Sequence, residues 1–311
     1  MLVVNKPRGK TSHDVVEAVR RLAGFRHIGH LGTLDPLATG VLVLALGHAT
    51  RLARFYAGRR KRYTCAVRFG FATDTFDADG EALGPDLAAQ LDCGQLQSLA
   101  SQFVGKIQQT PPAFSAKKIH GRPAHELARK HKPVNLEPVE VEVFEFRLTG
   151  VEGSVARFVV ECGSGTYIRS LANDLGKLQG SGAHLAEIVR TAVGEFTLDH
   201  AVPLAELEQD AKAGKLGERV IRLENLLPDL PRATVLPIVE KRVRHGAKFN
   251  VPLNQIEPGR VTVAQGAPEQ LDAGDWKPAR LRVFNQQGQL IAIAEPVVPR
   301  TYQPVLVLEG S

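Results

Sequence analysis

The segment His30-Leu-Gly-Thr-Leu-Asp35-Pro-Leu-Ala-Thr-Gly40 sets one carboxylate in a stretch punctuated by glycine and proline. From Ala18 to Thr73, Asp35 is the only carboxylate, and it shares that window with ten Lys and Arg residues. A carboxylate among cations stays ionised. Held in a loop between rigid elements, it suits a nucleophile better than a general acid. An Asp-Pro pair also starts turns, and Pro36 restrains the residue before it, so on this stretch alone a capping or turn role for Asp35 stays open. Tyr63 stands beside the run Arg59-Arg-Lys-Arg62, and is equally readable as a strand-core residue or a stacking platform. Tyr167 and Arg169 follow Gly163-Ser-Gly165. If a helix starts there, its N-terminus offers backbone donors to an anion, and Arg169 near Asp35 would form a bidentate pair that orients the carboxylate.

Three other patterns resemble chemistry without supplying it. His27-Ile-Gly-His30 spells the nucleotide-binding signature of class I aminoacyl-tRNA synthetases, but it follows a helix and has no downstream Lys-Met-Ser-Lys-Ser. Asp74, Asp77 and Asp79 lack the twelve-residue spacing and terminal Glu of a calcium loop and read as structural. Cys65, Cys93 and Cys162 form neither a CxxC pair nor an even set, so no zinc site or disulfide framework is expected and a reducing cytoplasm is. There is no G-x-G-x-x-G and no P-loop.

The elements around these groups follow from periodicity. Val3-Val4 reads as a first strand, and Thr11 or Ser12 caps a helix with stripe Val15, Val16, Val19, Leu22 and stop Gly24. Residues 25–40 read as loop, 41–46 as a buried strand, 49–57 as a short basic helix and 61–69 as a strand. A short helix is expected around 123–131, then strands around 139–148 and 156–161. Ile168, Leu171, Ala172, Leu175 and Leu178 mark an amphipathic helix. Residues 183–196 look extended and 203–210 helical. After Pro228-Asp-Leu-Pro231 the pattern changes to short alternating strands. The expected fold is α+β: a catalytic domain over 1–228 with a mixed, mainly antiparallel sheet flanked by helices, and a small β barrel over 232–311.

Length and composition agree with a globular chain. Its 311 residues are 43 % hydrophobic and 23 % charged, and the longest apolar run, Val41–Leu46, is far too short for a membrane span. Net charge is +6, concentrated in residues 1–70, which carry thirteen Lys and Arg against Asp14, Glu17 and Asp35. Clustered cations of this kind are the footprint of phosphate binding.

Lys6-Pro-Arg-Gly, Gly29-His-Leu-Gly-Thr-Leu-Asp-Pro-Leu-Ala-Thr-Gly40, Lys61-Arg-Tyr63, Thr73-Asp-Thr-Phe-Asp-Ala-Asp-Gly80 and Gly165-Thr-Tyr-Ile-Arg169 occur in the order seen in bacterial TruB-type tRNA pseudouridine synthases, which the chain resembles. The resemblance covers residues 1 to about 200 and extends more weakly to a last module similar to a PUA RNA-binding domain. It implies isomerisation of the T-arm uridine, position 55 of tRNA, by base flipping and covalent catalysis, without cofactor or metal. It implies Asp35 as nucleophile and Tyr63 as stacking platform near the C5 proton. Arg169 would pair with Asp35, Tyr167 would hydrogen-bond the nucleotide, His30 would support the flipped conformation and Ile188 would line the uracil pocket. Lys6, Lys117 and Lys118 are expected to contact substrate, the last two within an RNA-gripping insertion at about 108–135 that also carries His120, Arg122 and Arg129-Lys-His-Lys132. Arg244-His-Gly246 is expected near the acceptor stem. A monomer acting without guide RNA, in the cytoplasm and away from membranes, is the implied form.

Overall fold

The computed structural model describes residues 1–114, 118–119, 122–123, 136–260 and 280–308. The chain opens with β1 (Leu2–Lys6), α1 (Ser12–Ala23), β2 (Ile28–His30) and β3 (Thr39–Leu46). A 3₁₀ turn at Gly47–Leu52 leads through α2 (Ala53–Tyr56) to β4 (Lys61–Phe69), α3 (Cys93–Ser101) and β5 (Gly105–Gln109). A two-residue hairpin, β6 (Lys118–Ile119) with β7 (Arg122–Pro123), follows. Next come β8 (Val139–Glu152), β9 (Val155–Cys162), α4 (Ile168–Gln179) and β10 (Ala183–Val193). β11 (Phe196–Thr197), β12 (Val202–Pro203) and α5 (Leu204–Lys212) complete this part.

Ten of these strands make one sheet in the order β12-β1-β3-β10-β4-β9-β8-β5, with β2 on β3 and β11 on β10. Pairings are antiparallel except β1 with β12 and β3 with β10. The sheet centre is buried on both faces, which is why the strand 41–46 is a continuous apolar run and not an alternating one. Leu2, Val4, Leu42 and Leu44 pack on one face beneath α1, α4 and α5, while Met1, Val3, Val41 and Val43 pack on the other. Successive strand residues point to opposite faces, so one run feeds two cores.

The second core is shared with the C-terminal module. There β13 (Arg232–Thr234), α6 (Pro237–Arg244), β14 (Phe249–Asn250), β15 (Ile256–Glu257), β16 (Leu281–Phe284), β17 (Leu290–Val298) and β18 (Thr301–Val307) form a six-stranded sheet. Phe284, Leu290, Ile293, Leu306 and Leu308 of this sheet pack against Val3, Val41, Val43 and Phe196 of the first. The seam also carries polar links. Arg59 makes a double hydrogen bond to Asp229 (2.7 and 2.8 Å), and the Tyr56 hydroxyl donates to Glu195 (2.6 Å) while accepting from the Leu227 N–H.

Three local expectations change. Residues 25–40 are not all loop, since β2 pairs with Leu44–Leu46; a three-residue strand with one buried side chain is too short to show a period. Residues 49–57 divide into the 3₁₀ turn and α2. Pro123 lies in β7, and the remainder of the helix expected there falls outside the described residues.

Candidate active site

Asp35 sits in the turn between β2 and β3. Its carbonyl accepts the Ala38 N–H (3.0 Å) with Pro36 second in the turn, so the turn role is real but belongs to the backbone. The carboxylate is left free for other work. The turn is pinned from two sides. Thr11 caps α1 in a capping box with Asp14, which releases Ser12, now buried, to accept from Leu34 N–H (2.8 Å) and donate to the Leu34 carbonyl (3.0 Å). The Gly9 N–H donates to the Pro36 carbonyl (2.8 Å).

Lys6, expected to contact substrate, is one of these pins. It is fully buried, and its ammonium donates to the carbonyls of Pro7 (2.9 Å), Lys10 (2.6 Å) and Pro36 (3.4 Å). Burial lowers its pKa to about 8, with Asp35 opposing, so it is still an ammonium at neutral pH. The carbonyl-rich turn after β1 captured a cation that the sequence suggested was facing RNA.

Beside the turn opens a cleft of ≈ 460 Å³, within the usual range for small-molecule and nucleotide sites. His30, Asp35, Tyr63, Tyr167, Arg169 and Ile188 all line it, brought together from β2, the turn, β4, the start of α4 and β10. Tyr63 pairs across the sheet with Val160 on β9 and Arg190 on β10. Tyr167 is the N-cap residue of α4 and offers no side-chain cap. Its backbone is held instead by buried Gln109, whose side chain accepts from Tyr167 N–H (2.8 Å) and donates to its carbonyl (3.1 Å).

Arg169 reaches Asp35 through one contact, Nε to Oδ2 at 2.9 Å, not the expected bidentate fork. The rest of the guanidinium is used elsewhere. Nη1 donates to the Thr75 carbonyl (3.1 Å) and lies 3.4 Å from Asp77 Oδ2, and Nη2 donates to the Phe114 carbonyl (2.9 Å). Arg169 is thus a buried cation between two carboxylates. Asp77, expected to be structural, belongs to this site; its own carboxylate is held by the Thr75 hydroxyl (2.6 Å) and the Asp79 N–H (3.1 Å). A carboxylate between Phe76 and Ala78, with a cationic partner far along the chain, gives no local sign of that pairing.

The side chain of Asp35 is 44 % exposed, open to the cleft yet with protein on most sides. Burial therefore raises its pKa above the usual carboxylate value, Arg169 opposes the rise, and Asp77 adds to it. The expectation that surrounding cations dominate is corrected: desolvation is the larger effect, and the cations that oppose it, Arg169 and Lys6, lie outside that window. Burial pushes the Tyr63 phenol up to about 12, so it is neutral at pH 7. Burial, then Arg190, lowers the pKa of His30, whose buried Nδ1 has no hydrogen-bond partner among the described residues. Arg190, a cleft-lining residue that periodicity hid inside a strand, is the other group the sequence reading missed. Lys117, His120, Arg129, Lys130, His131 and Lys132 lie outside the described residues; Lys118 and Arg122 fall in the small hairpin.

This arrangement on this sheet is the pseudouridine-synthase fold. It is shared with the solved structure of a Cbf5-Nop10-Gar1 complex (24 % identity, TM-score 0.71, 99 % of this chain and 83 % of that one). It is shared too with that of an H/ACA RNP bound to a substrate RNA containing 2′-deoxyuridine (23 %, TM-score 0.68, 94 % and 77 %). Residues 20–168 match the model for the TruB family pseudouridylate synthase N-terminal domain, and residues 169–237 that for the tRNA pseudouridylate synthase B C-terminal domain. The chain is 42 % identical over 308 residues to tRNA pseudouridine synthase B of Solibacter usitatus, covering 99 % of both. It is 37 % identical over 297 residues to that of Thermotoga maritima (95 % and 89 %), and 45 % identical over 319 residues to that of Thermobifida fusca (100 % and 99 %). The chain belongs to the TruB family of pseudouridylate synthases. The two family regions meet between Ile168 and Arg169, so the ten-stranded sheet and the cleft draw on both.

Proposed function

We propose that the protein isomerises a uridine of the tRNA T-loop, position 55, to pseudouridine, with Asp35 as the nucleophile. The observation that carries this reading is a single accessible carboxylate in a nucleoside-sized cleft, paired through one oxygen with the buried Arg169 and leaving the other oxygen for the substrate. The family membership and the tRNA pseudouridine synthase B relatives support the substrate class. The uridine leaves its stack and enters the cleft, at a cost of about a few kcal/mol. Asp35 adds to the uracil ring or to ribose C1′; the N1–C1′ bond breaks, the uracil turns, and a C5–C1′ bond forms as the carboxylate departs. The C5 hydrogen is lost as a proton and N1 gains one. Atoms and electrons balance without oxidant, reductant or cofactor.

Tyr63 stacks on the uracil, with Ile188 beneath it. As a neutral phenol it receives the C5 proton only by passing its own onward. Tyr167 and Arg169 hold the nucleotide and the carboxylate, and a neutral His30 supports the flipped-out conformation. The basic N-terminal face and the insertion grip the T-arm phosphates, and the C-terminal module touches the acceptor stem. The enzyme acts as a cytoplasmic monomer without guide RNA. The test is purified protein with an unmodified tRNA transcript and no additions, followed by pseudouridine mapping. One pseudouridine per tRNA in the T-loop is expected; no product, or product only with a guide RNA, sinks the reading.

A further inference from the structure

Arg190 is 1 % exposed and is among the largest fully buried side chains of the protein. Its guanidinium meets no carboxylate within ion-pair distance among the described residues. Each of its three nitrogens donates to a neutral backbone carbonyl: Nε to that of Val41 (2.8 Å), Nη1 to that of Thr33 (3.2 Å) and Nη2 to that of Gly32 (3.0 Å). Gly32 and Thr33 precede Asp35, and Val41 lies on the strand that leaves the turn. One planar fork therefore ties both ends of the nucleophile loop to β10. The backbone is fitted to this arrangement. Arg190 pairs with Gly40 on β3 and Tyr63 on β4, and a Cβ on Gly40, whose φ is +97°, would lie 2.3 Å from the Arg190 carbonyl oxygen. The Arg190 cation also opposes the rise that burial imposes on the pKa of the Tyr63 phenol.

Burying a charge on neutral acceptors is unfavourable, and an apolar residue of similar volume usually serves a sheet core as well or better. What an apolar residue lacks is the means to fix three carbonyls at once from the position that pairs with Tyr63. Lysine, a point donor, lacks the fork. We propose that Arg190 is a positioning residue: it sets the Asp35 loop and the Tyr63 ring against each other, so that carboxylate and aromatic face meet a bound nucleotide in register. This rests on the reading of Asp35 and Tyr63 as the reacting pair.

The test compares wild type, Arg190→Met and Arg190→Lys by two readouts: tRNA affinity with the number of binding-competent molecules, and the single-turnover rate of pseudouridine formation per bound tRNA. Activity of the wild type tests the functional reading separately. Displacement of a reacting group by about 1 Å costs about a hundredfold in rate. Positioning predicts a drop of that order per bound tRNA in Arg190→Met, dissociation constants within about threefold of wild type, and only partial rescue in Arg190→Lys. A merely structural role lowers the fraction that binds and leaves the rate per complex unchanged. That result overturns the proposal, as does failure of both variants to fold.

Discussion

Asp35 meets two demands with different atoms, its carbonyl closing a turn and its carboxylate facing the cleft. This separation makes its substitution clean. Asp35→Asn keeps the turn, so the variant is expected to bind tRNA with near wild-type affinity and form no pseudouridine in single-turnover assays. Normal turnover would remove Asp35 from the mechanism. The raised pKa of Asp35 sets a pH dependence. The carboxylate is the reactive form, so activity is lost as pH falls, and it is lost at higher pH than for an unperturbed aspartate. Arg169 holds that pKa down, so Arg169→Met should move the acid limb of the single-turnover profile to still higher pH as well as lowering its plateau. An acid limb that stays in place would show that Arg169 does not govern the charge of Asp35. Tyr63→Phe keeps an aromatic face and removes the hydroxyl. Binding should survive while the rate falls by about 10²-fold or more, as for loss of a proton-transfer group; a rate near wild type would confine Tyr63 to stacking.

At the scale of elements, the cleft depends on where α4 begins, since Tyr167 occupies its N-cap position and Arg169 is in its first turn. The helix was legible from its stripe of Ile168, Leu171, Ala172 and Leu175, and its start from the glycines before it. The group that holds that start was not. Gln109 grips the Tyr167 backbone from 58 positions away, and no local pattern announces such a contact. The far end of α4 passes very close to β10: a Cβ on Gly176 would meet the Ala183 backbone nitrogen at 2.2 Å. Gly176→Ala would gain about 1 kcal/mol of helix propensity, but overpacking costs typically 1–3 kcal/mol. A lower melting temperature is therefore expected in thermal denaturation. Activity should fall with it, because α4 moves away from β10 carrying Arg169. An unchanged or raised melting temperature would mean that the contact relaxes freely.

For the whole molecule, the net charge of +6 and its concentration in the first 70 residues lead to a salt prediction. The affinity of the protein for tRNA should fall linearly on logarithmic axes with salt, with a slope reflecting several phosphate contacts. Lys6→Met should leave that slope unchanged, because the Lys6 ammonium already serves three backbone carbonyls. A slope reduced by about one would return Lys6 to the RNA-facing surface. The C-terminal module shares an apolar core with the ten-stranded sheet through Phe284, Ile293 and Leu306, so the two parts are a continuous body and not a tethered pair.

Sequence by itself determined the family, the α+β plan, the small β module and most of the cleft. Apolar periodicity, glycine stops and ordered short motifs are local signals, and local signals survive in one dimension. Tertiary structure alone decided which charges stay at the surface and which turn to backbone. Lys6 and Arg190 are cations in composition, but the carbonyls that claim them are assembled only when turn and sheet close. It also decided that burial, more than neighbouring charge, sets the ionisation of Asp35, because desolvation depends on packing from every side. And it brought Asp77 to Arg169 across 92 residues, converting a loop read as structural into the second carboxylate of the site.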